Sequence, residues 1–168
     1  EEATTSNKIF KTNPVIRPSD EELNQLADLI NESKKVTIYC GFGAEHSNAE
    51  DVELSKYLKA PVGYSFRGKM AIQSNNPNEV GLTGLLGLPS AYHAMHEADL
   101  LLLLGTDFPY EKFMPVKNKI VQIDESSERL GRRAKLELGL RVFGRSCISL
   151  NKDSFDLNVN HIGRKHGL

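Results

Sequence analysis

Apolar residues near the start of the chain first recur at helical spacing and then form a short continuous run. Ser19 and Glu22 have the spacing of a capping box, which predicts that a helix begins at this point. Residues 35–40 (KVTIYC) are rich in β-branched side chains and predict a strand after that helix. The predicted apolar face of the helix consists of Leu23, Leu26, Ala27 and Ile30.

The alternation of helix and strand patterns continues to about residue 140. Ser47 and Glu50 repeat the capping-box spacing and predict a second helix, whereas residues 67–80 have no periodicity and predict an irregular segment. The fully apolar run at residues 100–104 predicts the most buried strand. The other predicted elements are strands at residues 60–64, 119–123 and 136–140, a helix at residues 89–97 and a short helix at residues 126–133.

The predicted strands are apolar on both sides and have helices between them, which indicates a parallel sheet covered on each face. The fold class predicted from this order is α/β, a three-layer, doubly wound parallel sheet of about six strands. Such a sheet is typical of Rossmann-like, DHS-type nucleotide-binding domains, whose ligands lie at the carboxyl ends of the strands.

The composition is that of an ordinary globular domain and argues against several classes of function. Of the 168 residues, 39% are hydrophobic and 26% are charged, and the net charge of −1 gives no basis for nucleic-acid binding. No apolar run approaches the length of a membrane span. The two cysteines, Cys40 and Cys147, do not suggest a disulfide scaffold, so we expect a cytoplasmic protein.

The chain divides into three regions by composition. Residues 1–18 are polar, contain Pro14 and Pro18, and predict an extended arm or linker. Residues 19–140 carry the predicted helices and strands and form the predicted domain. In residues 141–168 basic side chains outnumber acidic ones by five to two and helical periodicity is absent, so we expect a divergent, irregular tail.

A glycine turn, Gly41-Phe42-Gly43-Ala44, follows the first predicted strand and precedes a helix. Gly41 and Gly43 would let a ligand approach the backbone, and the helix N-terminus behind them suits the phosphates of a dinucleotide. The alternative is a plain tight turn, because the segment does not match G-x-G-x-x-G.

A second glycine-rich segment, residues 81–87 (GLTGLLG), has three glycines at three-residue spacing, which is hard to explain by packing alone. Thr83 adds a hydroxyl group, so a flat or extended ligand is expected to lie across the segment. The alternative is a glycine-rich connector.

Residues 105–110 (GTDFPY) follow the most apolar strand, at the edge where open α/β sheets bind ligands. Phe108 and Tyr110 would flank a ring system or a sugar, or else they simply close the core. Asp124 ends the next strand, where an acid commonly accepts hydrogen bonds from a ribose. The alternative for Asp124 is a cap for the segment that starts at Ser126.

The remaining candidates are weaker. Arg67, in the segment RGK, is a possible contact for an anionic ligand. His93 and His96 lie three residues apart on a predicted helix, an arrangement more often found on a solvated face than in a metal site. We predict no metal site and no catalytic residues, because the sequence shows no Ser/His/Asp arrangement and no base beside either cysteine.

Five segments in a fixed order resemble the central domain of thiamine-diphosphate-dependent pyruvate oxidases and pyruvate:quinone dehydrogenases. The resemblance covers about residues 15–140. The segments are CGFGA (40–44), RGK (67–69), VGLTGLLG (80–87), LLGTDFPY (103–110) and QID (122–124).

The resemblance implies that this domain binds FAD and lies between two α/β domains that hold thiamine diphosphate and Mg²⁺. The complete enzyme, a tetramer in the family, would decarboxylate pyruvate oxidatively and pass electrons through FAD to quinone or oxygen. Any membrane association would come from other parts of that enzyme. The implied flavin contacts are Thr83, Gly84, Leu85, Leu86, Thr106, Asp107, Phe108, Pro109, Tyr110 and Asp124.

The chain departs from the family pattern in two ways. The thiamine- and metal-binding motifs are absent, so we expect the domain by itself to be inactive. The match also stops near Leu140. An alternative function is a structural spacer domain of a thiamine-diphosphate enzyme that binds no nucleotide.

Overall fold

A computed structural model describes residues 14–143, except residue 74. Six parallel strands form one sheet in the order β3-β2-β1-β4-β5-β6, the order of dinucleotide-binding Rossmann folds. The α/β fold class predicted from the sequence is therefore confirmed. The strands are β1 (Val36–Cys40), β2 (Val62–Tyr64), β3 (Glu79–Leu82), β4 (Leu100–Leu104), β5 (Lys119–Asp124) and β6 (Leu138–Arg141). The helices are α1 (Asp20–Glu32), α2 (Asn48–Leu58), α3 (Lys69–Ile72) and α4 (Pro89–His96).

The central strand β4 is buried on both faces and divides the core in two. Leu100, Leu102 and Leu104 lie in a cluster with residues of α1 and partly buried leucines of α2. Leu101 and Leu103 point to the opposite face, where they join a cluster that contains Met95 of α4. Because successive side chains of a strand alternate between faces, this run of five leucines supplies both cores and fixes the three layers.

The two predicted capping boxes have different outcomes. At α1 the prediction is confirmed: Glu22 N donates to Ser19 Oγ at 3.2 Å, and Ser19 N donates to Glu22 Oε2 at 2.7 Å. At α2 it is wrong, because the Ser47 side chain makes no capping bond and instead donates to Ala44 O at 3.0 Å. Ser47 is the residue immediately before α2, but it also ends the 3₁₀ turn Phe42–Ser47, and its side chain bonds within that turn.

Two further predictions about local structure need correction. Residues 67–80, expected to be irregular, include α3 and the first two residues of the edge strand β3. That strand escapes detection because it has four residues, is mostly half-buried and contains Gly81 at φ +98°. The helix predicted at residues 126–133 is a single 3₁₀ turn, Ser127–Arg129, and Gly131 at φ +73° follows it.

The first and last parts of the described chain meet in an antiparallel bridge. Ile16 N donates to Phe143 O at 3.1 Å, and Phe143 N donates to Ile16 O at 3.0 Å. Most of the predicted arm (residues 1–13) and of the predicted tail (residues 144–168) lies outside the described residues. Within the described part the longest helix, α1, has 13 residues, and no helix there has the length and apolar character to cross a bilayer.

Candidate functional site

A groove of about 740 Å³ lies over the carboxyl ends of the strands. This volume falls within the range of small-molecule and cofactor sites. The groove brings together most residues predicted as ligand contacts, but Gly41 and Asp124 do not line it. The predicted residues that line it are Gly43, Arg67, Thr83, Gly84, Leu85, Leu86, Thr106, Asp107, Phe108, Pro109 and Tyr110.

The floor of the groove is the point where the turns after β1 and β4 cross. Gly43 N donates to Gly105 O at 2.9 Å, and a Cβ atom on Gly41 would lie 2.3 Å from Gly105 O. Gly41 has an ordinary extended backbone at φ −103°, so the lack of space, not its conformation, requires glycine. The tight-turn interpretation therefore accounts for Gly41, while Gly43 is half-buried and reaches the groove.

The second glycine segment forms one wall of the groove. A Cβ atom on Gly87 would lie 2.6 Å from Thr83 Cα, so local packing does explain this glycine, contrary to the sequence-based expectation. Gly84 has φ +119° and lies against the rings of Phe108 and Tyr110. Between these glycines, Leu85 and Leu86 are 71% and 77% exposed at the groove. Thr83 is buried beneath them.

The two aromatic residues of the third segment have different roles. Phe108 is buried in the core, with its ring centroid 5.3 Å from that of Tyr39, and an edge of it still reaches the groove. Tyr110 is half-exposed and lies 5.4 Å from Phe108, centroid to centroid. The core-closing interpretation thus describes Phe108, and the ligand-flanking interpretation remains open for Tyr110.

The segment of residues 105–110 is held by side chains that the sequence did not single out. Gln122 Nε2 donates to Thr106 O at 3.1 Å, and Gly131 N donates to Gln122 Oε1 at 3.0 Å. Both carboxylate oxygens of Asp107 pair with arginines, Oδ1 with Arg133 Nε and Oδ2 with Arg132 Nη1, each at 3.2 Å. Asp107 therefore braces the groove wall. One feature of the sequence could have revealed this bridge: Gln122 is a polar residue inside an otherwise apolar predicted strand.

Asp124 is fully buried beside the groove. Ser126 N donates to Asp124 Oδ1 at 2.9 Å, which agrees with the capping alternative. The guanidinium of Arg129 also reaches Oδ1, with its Nη1 atom at 3.4 Å. The other oxygen, Oδ2, is buried and has no hydrogen-bond partner among the described residues. A buried acceptor without a donor is costly, so Oδ2 is an unsatisfied polar atom next to the groove.

Arg67 lies on the groove wall opposite β5. Its guanidinium carbon lies 4.6 Å from the centroid of the Phe42 ring, which is a cation–π distance. Both residues line the groove together with the exposed side chain of Phe66, and neither phenylalanine was predicted from the sequence. The wall therefore combines one positive charge with apolar surface.

Ser47, Asp51 and Cys40 form a buried polar cluster next to the first glycine turn, and Ser47 bonds the backbone of that turn at Ala44 O. Ser47 Oγ lies within hydrogen-bond distance of Asp51 Oδ2, at 3.3 Å, and Cys40 Sγ lies 4.0 Å from the same oxygen. Burial raises the pKa of Asp51 to about 8, and the hydrogen bond from Ser47 offsets part of this rise. Burial and the nearby Asp51 also raise the pKa of the Cys40 thiol. This cluster is largely uncharged at neutral pH, and Cys40 is not a thiolate nucleophile.

The histidines of α4 make surface contacts. The ring centroid of His96 lies 3.9 Å from that of Tyr92 in a stacked arrangement, and His96 Nδ1 lies 2.9 Å from Tyr92 O. Across residues 14–143, residue 74 aside, no group of three or more His, Cys, Asp or Glu side chains has the arrangement of a metal site.

Comparisons with known proteins agree with this fold. A family model described as "Thiamine pyrophosphate enzyme, central domain" matches residues 23–148. The chain is similar to the uncharacterized 42.6 kDa protein in isoamylase 3′ region of Pseudomonas amyloderamosa, with 48% identity over 127 residues, 76% of this chain and 32% of that protein. It is also similar to the acetolactate synthase large subunit of Cyanidium caldarium, with 35% identity over 102 residues, 60% of this chain and 17% of that subunit.

A solved structure gives the same architecture. The crystal structure of benzoylformate decarboxylase from Polynucleobacter necessarius matches with a TM-score of 0.67 and 17% identity, over 88% of this chain and 29% of the decarboxylase. At that identity the match shows the fold alone. The chain spans about a third or less of the length of each protein that it resembles. The sequence match over residues 23–148 shows that the chain belongs to the central-domain family of thiamine pyrophosphate enzymes.

Proposed function

We propose that this chain is the FAD-binding central domain of a longer enzyme of the pyruvate oxidase type. In that protein, flanking domains hold thiamine diphosphate and Mg²⁺, and pyruvate is decarboxylated oxidatively with electrons passing through FAD to quinone or oxygen. We also propose that the enzyme is cytoplasmic and assembles as a homo-oligomer. The domain itself contributes binding and orientation, and the redox chemistry belongs to the flavin when it is bound.

The observation that carries the proposal is the buried Asp124 Oδ2, which has no hydrogen-bond partner within the described part of the chain. It lies beside a groove at the edge of a sheet with dinucleotide-binding strand order. A carboxylate at the end of a strand in such a sheet suits the hydroxyl groups of a ribose. The described residues also fit the rest of a dinucleotide. Arg67 supplies positive charge, and the exposed Leu85, Leu86 and Tyr110 supply apolar surface for a ring system.

The groove suits an extended ligand because its two ends differ in chemistry. Near β5, Glu125 and Arg129 form a polar end for a sugar and phosphates, and the buried Asp124 lies directly beside it. Near β3, Leu85 and Leu86 form an apolar end. Gly84 directly precedes these leucines and has no Cβ, so a ligand can pass close to the backbone at the apolar end.

Titration of the purified 168-residue chain with FAD, followed by flavin fluorescence and calorimetry, tests the proposal. The chain contains no tryptophan, so the flavin signal is easy to isolate. We expect saturable binding that is tighter than for NAD. In the Asp124→Asn variant, loss of one charge-assisted hydrogen bond is expected to weaken FAD binding by about 1.5–3 kcal/mol, or about 10- to 150-fold.

Asp51→Asn is the matched control. Asp51 is equally buried and also has one oxygen, Oδ1, without a partner among the described residues. It differs from Asp124 in position, because Asp124 precedes the groove-lining Glu125 and contacts the groove-lining Arg129, whereas Asp51 lies within α2. This variant is expected to change stability and leave FAD affinity within about twofold. A folded chain that binds no FAD would contradict the proposal and favour the structural spacer. Equal weakening in both variants would contradict the role of Asp124.

A further inference from the structure

We propose that Arg129 covers the Asp124 carboxylate while the groove holds no nucleotide, and that a bound nucleotide displaces its guanidinium, which then binds the diphosphate. The inference rests on the proposed nucleotide function of the groove. It assigns a specific role to a residue that the sequence did not single out.

The contact between Arg129 and Asp124 is long for an ion pair, and it joins an exposed side chain to a buried one. The Arg129 Nη1 atom lies 3.4 Å from Asp124 Oδ1, beyond the usual range of a charge-assisted hydrogen bond. The Asp124 side chain is 0% exposed, whereas that of Arg129 is 41% exposed. Because Oδ1 already accepts from Ser126 N, the arginine adds only a second and longer contact to that oxygen. A ribose hydroxyl can reach Oδ2 only if the side chains above the carboxylate move aside.

The backbone around Arg129 need not move for this exchange. Arg129 N donates to Ser126 O at 3.1 Å, and Arg132 N donates to Arg129 O at 3.3 Å. These bonds fix the 3₁₀ turn, while the half-exposed side chain has rotamer freedom toward the groove, whose wall it forms. Rotation about side-chain bonds is therefore enough to uncover Asp124.

The charges around the groove explain why the displaced guanidinium would meet the ligand. Among the described lining residues, the positive charges are Arg67 and Arg129, and the negative charges are Asp107 and Glu125. Asp107 is paired with two arginines outside the groove lining, but Glu125 is exposed beside Asp124. A diphosphate placed near these carboxylates requires a nearby cation, and Arg129 is the lining cation on the β5 side.

Comparison of ADP with adenosine tests this role, because only ADP carries the diphosphate. Both ligands are measured as competitors of FAD on the wild-type chain and on Arg129→Gln. We expect ADP to bind about tenfold more weakly to the variant. Adenosine binding should stay within twofold or become tighter, since the cover over Asp124 is gone. Arg129→Lys should restore part of the ADP affinity, because it keeps the charge without the planar fork.

Arg17→Gln is the matched control, since it removes the same charge from an exposed position before α1 and is expected to change neither ligand. A merely structural Arg129 would shift ADP and adenosine equally, and that result overturns the inference. So does an unchanged ADP affinity; in both cases wild-type FAD binding leaves the proposed function standing. If the folded wild-type chain binds neither FAD nor ADP, both the proposed function and this inference fail.

Discussion

The glycine turn after β1 and the glycine segment after β3 look alike in the sequence but differ in their surroundings. At Gly41 the backbone is packed against the neighbouring turn, and Ser47 and Asp51 support it from below with buried hydrogen bonds. At residues 84–86 the chain lies at the groove, and two leucines are largely exposed. Glycines near a strand end therefore indicate either a close backbone crossing or an open ligand surface. Only the distances to neighbouring atoms distinguish the two.

The largest expected effect is a loss of stability when a side chain is added at Gly41, in the glycine turn after β1. In Gly41→Ala the new Cβ atom would lie 2.3 Å from Gly105 O and 2.6 Å from Thr106 Cα, both backbone atoms that cannot easily move. We expect the free energy of unfolding to fall by about 3 kcal/mol or more in urea denaturation. Gly139→Ala is the control, because its new Cβ would meet only side-chain atoms at 3.4 Å or beyond. Similar losses in both variants would mean that the crossing is not tight.

A smaller effect on stability, which depends on pH, is expected from Asp51 in the buried polar cluster next to that turn. The pKa of Asp51 rises from 3.8 to about 8 on folding, so the folded state retains a proton that the unfolded state loses. The stabilisation is complete below about pH 4 and is lost as the pH rises toward 8. Between pH 5 and pH 7.5, the free energy of unfolding of the wild type should therefore fall more than that of Asp51→Asn, by at least about 1 kcal/mol.

The exposed Asp28 on α1 provides the control for that measurement. Asp28→Asn should follow the wild-type pH dependence, because an exposed carboxyl is solvated in both states. If Asp51→Asn and the wild type lose stability in parallel as the pH rises, Asp51 is ionised in the folded protein and the neutral cluster does not exist.

The smallest effect on stability is expected at Leu85 and Leu86, in the glycine segment after β3. Leu85→Ser combined with Leu86→Ser should change the free energy of unfolding by less than about 0.5 kcal/mol per site, because both side chains are already exposed. FAD affinity should nevertheless fall about tenfold, since the bound ring would lose apolar contact. Val116→Ser, at a position that is 97% exposed and outside the groove, should change neither quantity. Unchanged FAD affinity in the leucine variant would place the ligand elsewhere.

The sequence predicts the centre of the fold better than the edge at β3. Strand β4 is found because all five of its residues are leucines, and β1 is found because its buried residues include the β-branched Val36, Thr37 and Ile38. Strand β3 is missed because it is paired on one side and contains a glycine with positive φ. The helix expected after Asp124 fails because Gly131 and the contacts of Asp107 hold that segment in another shape.

The candidate site shows the same limit. The groove-lining segments after β1 and β4 follow predicted strands, and parallel strands bring their carboxyl ends together, so these segments could be placed at one edge from their order. Residues 83–86 are instead singled out by their glycine spacing, because the strand before them is not predicted. The crossing of Gly41 over Gly105, the bridge through Gln122 and the cover of Arg129 on Asp124 join segments by distance in space. Contacts between residues that are far apart in the chain cannot be predicted from residue type or from local spacing.

The pairing of Ile16 with Phe143 brings the first and last parts of the described chain together. The α-carbons of a hydrogen-bonded antiparallel pair lie about 5.5 Å apart, so a chain that enters the domain at Ile16 leaves it at Phe143 from nearly the same point. A domain with adjacent entry and exit points adds almost no distance between the segments before and after it. This geometry is the opposite of what a spacer requires.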